Sequence, residues 1–265
     1  MKIGILKCGT PPKDTLKEQG DLDEIFKKLL LLENSNVIVK GFDCIKEQLP
    51  KQSDFDNLDG FIITGSKYSS YDTKQWIRKL KTKIREMDRK KIKLVGICFG
   101  HQVIAEALGG KVILNSFGWE VSVSNIKMNR IGKKLFNSDS LNIQSMHKDI
   151  VSDIKNTGLR IFSKNDCGIQ GMIKDDHIFT LQGHPEYLPS TVKTLLLLRK
   201  DIIPLKICQK GLKKLTNSTD SKLISKFIGN FFMNPNYLTD ILSKSTKKIG
   251  VAKKVSQKKT DKKKN

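Results

Sequence analysis

The chain lacks what would staple it, anchor it in a membrane or cradle a nucleotide. Its five cysteines, at positions 8, 44, 98, 167 and 208, are odd in number and widely spaced. There is no Cys-x-x-Cys pair and no Cys/His cluster at metal-ligand spacing, so neither a disulfide framework nor a structural metal site is expected. Cysteine usage of this kind fits a reducing compartment, and the expected location is the cytoplasm, with a nuclear fraction open. The longest purely apolar runs, Leu29 to Leu32 and Leu195 to Leu198, fall far short of the roughly 20 residues of a membrane helix. Met1 to Lys7 is too short and too interrupted for a signal peptide and reads instead as a buried first strand. No Gly-x-x-x-x-Gly-Lys-Ser/Thr loop and no Gly-x-Gly-x-x-Gly occurs, so no phosphate cradle is expected. No cofactor or metal is called for.

Acidic residues are also scarce beside basic ones, 27 against 49, for a formal charge of +22. The excess is uneven. Residues 244–265 hold ten Lys and one Asp, with no aromatic residue. Such a composition cannot bury enough apolar surface to order itself, so 244–265 is expected to be a disordered Lys-rich tail. Its role is open between a solvated appendage, contact with nucleic acid or another polyanion, and nuclear import. Residues 1–243 are expected to form one domain, with C-terminal helices over 189–243.

Strand-like and helical patterns alternate through the first hundred residues. Ile3 to Leu6, Val37 to Val39, Gly60 to Thr64 and Leu94 to Ile97 read as strands. Leu22 to Leu32 has apolar residues at helical spacing. Asp72 is placed to cap a helix running to Arg89, with Trp76, Ile77, Leu80 and Ile84 on one face. This alternation means βαβ units and a parallel sheet covered on both faces. From Lys111 to Phe162 the pattern is mostly strand, and the sheet returns with Gly168 to Ile173 and Ile178 to Leu181. Two helical patterns follow, Ser190 to Lys200 and Ser221 to Phe232, with a capping segment at Asn217 to Asp220.

What is present, against this background, is Gly96-Ile97-Cys98-Phe99-Gly100. It stands between an apolar run and a helix-like segment, Phe99 to Leu108. Strand, sharp turn and helix in that order put the central side chain at the top of a sheet, in a bend that glycine neighbours permit. The first amides of the helix then point at the same spot and stabilise a thiolate or an oxyanion there. Cys98 is therefore a candidate nucleophile.

The chain has four histidines, so candidates for its base are few. His101 lies on the same helix and is expected to serve structure. His177 sits in a polar turn. His147 is in Met146-His147-Lys148-Asp149, which reads as a loop. His184 follows the last strand in Gly183-His184-Pro185-Glu186. Carboxyl ends of parallel strands share one crevice, so His184 can face Cys98, and Glu186 can orient the imidazole. Cys98, His184 and Glu186 thus meet the requirement for nucleophile, base and orienting group.

Gly-Ile-Cys-Phe-Gly-His-Gln at 96–102, taken with Gly-His-Pro-Glu at 183–186, resembles the class I glutamine amidotransferase family. The resemblance runs from Met1 to about Tyr187. Ile62 to Tyr68 and Met146 to Asp149 extend it towards the stand-alone branch that includes the γ-glutamyl peptidases of plants. It implies a flavodoxin-like three-layer α/β sandwich with a central, mostly parallel sheet. It also implies a reaction: Cys98 attacks a γ-glutamyl amide, His184 relays protons and Glu186 orients His184. The implied oxyanion hole is the amides of Phe99 and Ser66, with Gly65 beside them. Gln102, Trp119 and His147 are implied to contact a small γ-glutamyl substrate, and Lys67, Tyr68, Tyr71 and Asp149 lie near the implied pocket. The leaving group stays open between an amino acid or peptide and ammonia. Ammonia would call for a synthetase on a separate protein.

Overall fold

A computed structural model of the protein describes residues 1–244, so the Lys-rich tail from residue 245 onward lies outside the described residues. The chain begins with β1 (Lys2–Lys7), the helices α1 (Lys13–Gln19) and α2 (Leu22–Leu31), and β2 (Ile38–Asp43). Then come α3 (Gln52–Asn57), β3 (Gly60–Ile63), α4 (Gln75–Arg89), β4 (Leu94–Ile97) and α5 (Phe99–Ala107). The central part holds β5 (Lys111–Leu114), β6 (Glu120–Lys127), α6 (Arg130–Phe136), β7 (Ser140–His147), β8 (Asp149–Asp153), β9 (Arg160–Asn165), β10 (Gly168–Lys174) and β11 (Ile178–Leu181). Four helices close it: α7 (Pro189–Leu198), α8 (Leu205–Lys213), α9 (Ser221–Met233) and α10 (Tyr237–Ser243).

Nine strands form one sheet in the order β2-β1-β3-β4-β11-β10-β8-β5, with β9 paired to β10. The first five run parallel, and pairing from β10 onward is antiparallel. β3, β4 and β11 are buried throughout, as strands covered on both faces must be. On one face Ile3, Ile5 and Ile62 pack with Phe26 and Leu30 of α2 and with Phe227 and Phe231 of α9. On the other, Leu6, Phe61 and Ile63 pack with Trp76, Ile77 and Leu80 of α4 and with Val103 and Ile104 of α5. These are the three layers. Stacked Phe162 and Phe179 rings, 5.5 Å apart, and Phe136 and Phe227 knit α6 and α9 to the sheet. A separate ribbon, β6–β7, packs through Val121 and Met146 on Val192, Leu195 and Leu196 of α7.

The structure departs from the sequence reading at several elements. α1, α3, α6, α8 and α10 were not legible, because six to nine residues give too few turns for a 3.6-residue period to stand out. Asp72 does not cap α4, which starts after Lys74 with no side-chain cap, while the Asp72 amide closes a turn on the Ser69 carbonyl. Asp220 sits at the head of α9 without capping it, because its carboxylate accepts from the Asn142 amide of β7. His177 does lie in the turn after β10, but its ring is buried beneath Asp88, with Nε2 2.8 Å from Oδ1. The stretch around His147 is no loop: His147 ends β7 and Asp149 begins β8.

Candidate active site

β4 ends at Ile97 and α5 begins at Phe99, so Cys98 alone makes the reversal. Its backbone lies at φ 54° and ψ −102°, a strained conformation that costs about 1–3 kcal/mol for a residue with a Cβ. The flanking glycines are steric necessities. A Cβ on Gly100 would stand 2.3 Å from the Ile63 carbonyl oxygen, and one on Gly96 2.6 Å from Ile104 Cδ1. The Cys98 amide donates to the Leu181 carbonyl at 2.9 Å, which pins the elbow to the end of β11.

His184 stands three residues past that same strand end. Its amide donates to the Gln144 carbonyl of β7 at 2.7 Å, and its ring lies flat on Tyr187 with centroids 3.9 Å apart. Nδ1 is 2.7 Å from Glu186 Oε1, so Nδ1–H donates to the carboxylate and Nε2 is left for the cavity. A Cβ on residue 65 would come within 2.8 Å of His184 Cε1, so glycine there lets the loop and the ring approach. Burial works against a charged imidazole, but Glu186 and the Cys98 sulfur outweigh it, and the His184 pKa rises to about 10.

The Gly65–Ser66 loop is tied to the end of β1. Ser66 Oγ donates to the Cys8 carbonyl at 2.6 Å, and the Cys8 amide donates to Thr64 Oγ1 at 3.0 Å. Neither the Phe99 nor the Ser66 amide donates to another residue among the described ones. The loop is held again further on. The Asp149 carboxylate accepts from Ser69 Oγ at 2.6 Å and from Tyr71 OH at 3.1 Å. The Asp149 carbonyl accepts from Gln102 Nε2 of α5 at 2.9 Å and from His147 Nδ1 at 3.1 Å. One residue thereby joins the 66–71 loop, the nucleophile helix and the β7–β8 turn.

Two chambers meet at Cys98. The larger, about 300 Å³, is lined by Gly9 to Pro12, Thr15, Ile25, Ile45, His184 and Leu195. The smaller, about 190 Å³, is lined by Ser69, Gln102, Trp119, His147, Lys148 and Asp149. Ser66, Lys67, Tyr68, Cys98, Met146 and Arg199 line both. A wider depression of about 700 Å³ at Arg130, Lys134 and Lys244 shares no residue with either.

The structure therefore brings Cys98, His184, Glu186, Phe99, Ser66 and Gly65 to one place. Gln102, Trp119 and His147 lie around the smaller chamber, but two of them direct their hydrogen bonds inward. Gln102 Nε2 bonds the Asp149 carbonyl and Gln182, and His147 Nε2 lies 2.9 Å from Glu120 Oε2. Burial alone would raise the Glu120 carboxyl, yet His147, with Asn165, holds it below the usual carboxylate range. Lys148 and Arg199 both lie over the Trp119 ring, at 6.0 and 5.5 Å from its centre. Tyr71 lines neither chamber. His101 is structural: its ring bonds Thr180 and the Ile169 carbonyl, and burial pushes its pKa down to about 3. Sequence reasoning missed Arg199 and Thr15. Neither lies in a motif, and both reach the site only through tertiary packing. Among the described residues no group of three His, Cys, Asp or Glu is arranged to hold a metal, and no helix is long and apolar enough to cross a membrane.

The family described as glutamine amidotransferase class-I matches residues 24–202. The chain belongs to that family. A glutamine amidotransferase-like protein of Schizosaccharomyces pombe is 31% identical over 243 residues, covering 87% of this chain and 98% of that one. Gamma-glutamyl peptidase 3 of Arabidopsis thaliana is 34% identical over 153 residues, 55% of this chain and 61% of the peptidase. A solved glutamine amidotransferase from Thermotoga maritima superposes with a TM-score of 0.67 at 18% identity, over 88% of this chain and 98% of its own. At that identity the likeness speaks for the fold, which is the flavodoxin-like sandwich with a mostly parallel sheet.

Proposed function

We propose that the chain hydrolyses γ-glutamyl amide bonds through a thioester on Cys98, with His184 as base and acid and Glu186 as the group that orients it. One observation carries the reading: a strained cysteine at a strand–helix elbow lines the same chamber as a histidine whose far nitrogen is held by a buried carboxylate. The Cys98 sulfur attacks the γ-carbonyl carbon, and the carbonyl π electrons move to oxygen. The unengaged Phe99 and Ser66 amides hold that oxyanion, each such donor being worth about 10²–10³ in rate. The carbon–nitrogen bond then breaks as His184 gives its proton to the leaving amine. Water, deprotonated by His184, attacks the thioester and releases glutamate and the thiolate. The γ-glutamyl group fits the smaller chamber, with Trp119, Gln102 and His147 as walls.

The larger chamber supports a peptide-like substrate over glutamine, because ammonia as leaving group needs no cavity of about 300 Å³. The likeness to gamma-glutamyl peptidases supports the same choice. A second reading, ammonia supply to a separate synthetase, is favoured by a 32% identity over 134 residues with the carbamoyl phosphate synthase small chain of Buchnera aphidicola, covering 31% of that protein. The test is glutamate release from γ-glutamyl dipeptides and from glutamine by wild type and Cys98→Ser. The expected result is release from dipeptides that falls at least roughly 10⁴-fold in the variant. Retention of most activity by the serine form would overturn the mechanism.

A further inference from the structure

The chamber beyond Cys98 carries a charge pattern that the proposed chemistry leaves unused. Besides the His184 imidazole, two cations line it, Lys67 and Arg199, and none of its lining residues is acidic. Both cations lie against aromatic faces, Lys67 5.4 Å from the Tyr68 ring centre and Arg199 5.5 Å from that of Trp119. Among the described residues neither belongs to an ion pair. The one acid of the adjoining chamber, Asp149, is engaged by Ser69 and Tyr71, and cations without a paired acid raise the local concentration of anions and strengthen any bond an anion makes there. A guanidinium is suited to a carboxylate, which it can grip through two parallel hydrogen bonds.

The same chamber holds an unsatisfied polar atom. Thr15 is 2% exposed, and its Oγ1 has no hydrogen-bond partner. A buried hydroxyl without a partner costs about 1–3 kcal/mol, and a ligand that reached it from the chamber would supply the missing bond. Part of the wall is apolar, from Leu22, Ile25 and Leu195. An apolar wall, a free hydroxyl and two unpaired cations describe an amino acid: a side chain, a polar backbone and a free carboxylate. Ammonia presents none of these.

We infer that the larger chamber is a subsite for a leaving group with a free carboxylate, received by Arg199 and Lys67, so that the substrates are γ-glutamyl amino acids and peptides with an unblocked C-terminus. The inference rests on the γ-glutamyl hydrolase reading, and binding separates the two. In a Cys98→Ala background, γ-glutamyl-leucine and its C-terminal amide are titrated by calorimetry. The free acid binds about tenfold tighter, the order of one charge-assisted hydrogen bond. Arg199→Met brings the acid-to-amide ratio close to one, and Arg199→Lys restores part of it. Should Arg199→Met prove unfolded by its thermal melt, Lys67→Met, in an exposed loop position, lowers the same ratio. A ratio unchanged by these variants overturns the subsite, as does an amide that binds as tightly as the acid, or no measurable binding of either. Equal weakening of acid and amide by Arg199→Met would assign Arg199 to the glutamyl end instead, and overturn it too. The hydrolase reading fails separately, if wild type releases no glutamate from any of these compounds.

Discussion

In the parallel half of the sheet, β4 and β11 run side by side and end level, Ile97 beside Leu181. The residues just past those ends, Cys98 and His184, therefore face one space. On the antiparallel side, β7 of the separate ribbon runs into β8 of the sheet, and the junction brings His147 and Asp149 to the same space from another side. The first half presents groups in strained or charged states: a cysteine at positive φ, and an imidazole lifted to a pKa of about 10. The second half presents groups whose hydrogen bonds turn inward, to Glu120, Gln102 and the 66–71 loop. Burial is common to both, since His184, His147 and Asp149 are all less than a tenth exposed. Both imidazoles meet a glutamate; what differs is the second ring nitrogen, which bonds the Asp149 carbonyl in His147 and is left for the chamber at Cys98 in His184.

The largest test of that contrast lies in the parallel half. Glu186→Gln keeps the shape of the side chain and removes the charge that favours the imidazolium. Glutamate release is expected to fall about 10³–10⁴-fold, as when the orienting carboxylate of a triad is neutralised. The thermal melt, read at the same pH, checks that the fold survives. A loss under tenfold would mean that Glu186 only packs beside His184.

The antiparallel half should respond more mildly. Asp149 touches the 66–71 loop through two side-chain bonds and acts on the proposed oxyanion donor only through that loop. Asp149→Asn keeps the carbonyl bonds and loosens the loop. We expect kcat to fall by about 10- to 100-fold, the scale of a small misplacement near reacting atoms, with KM changed less than about threefold. The double variant Ser69→Ala, Tyr71→Phe should reproduce the effect. Loss in KM alone would make Asp149 a substrate contact and erase the distinction between the two halves.

The two halves also differ in how far sequence alone reveals them. The elbow was legible because a strained turn demands glycine at fixed positions, and Gly96 and Gly100 leave that mark. Gly-His-Pro-Glu stands out for the same reason, being short and fixed by the strand before it. β4, β6 and β11 carry bounds that a period of two or a continuous apolar run predicts. The supporting network leaves no such mark. His147 and Asp149 sit in a polar stretch that looks like a loop, and their strand pairing depends on distant partners, Glu120 of β6 for His147 and Leu114 of β5 for Asp149. Arg199 follows a run of four leucines, and only the packing of α7 against β6 and β7 carries it to the site. Local conformational strain is written in local sequence, while a contact between distant segments is written in neither segment alone.

The smallest effects expected are shifts in the pH dependence of stability, and they set two buried histidines of the molecule against each other. His101 has its folded pKa lowered from 6.5 to about 3, chiefly by burial. The unfolded chain then binds the extra proton between those values, so the stability from neutral His101 is present above about pH 6.5 and is lost as pH falls towards 3. His184 is the reverse case, raised from 6.5 to about 10 against the effect of burial. Its stabilisation is complete below about pH 6.5 and is lost as pH rises through 10. Thermal melts across pH 4 to 10.5 should accordingly show Tm declining at both ends. His101→Asn should flatten the acid limb and leave the alkaline one, and Glu186→Gln should flatten the alkaline limb and leave the acid one. The slopes matter here, not the absolute Tm, since either substitution also removes a buried hydrogen bond and lowers stability at every pH. An alkaline limb that keeps its slope in Glu186→Gln would mean that the carboxylate does not hold the charge on His184, leaving the Cys98 sulfur to oppose burial there.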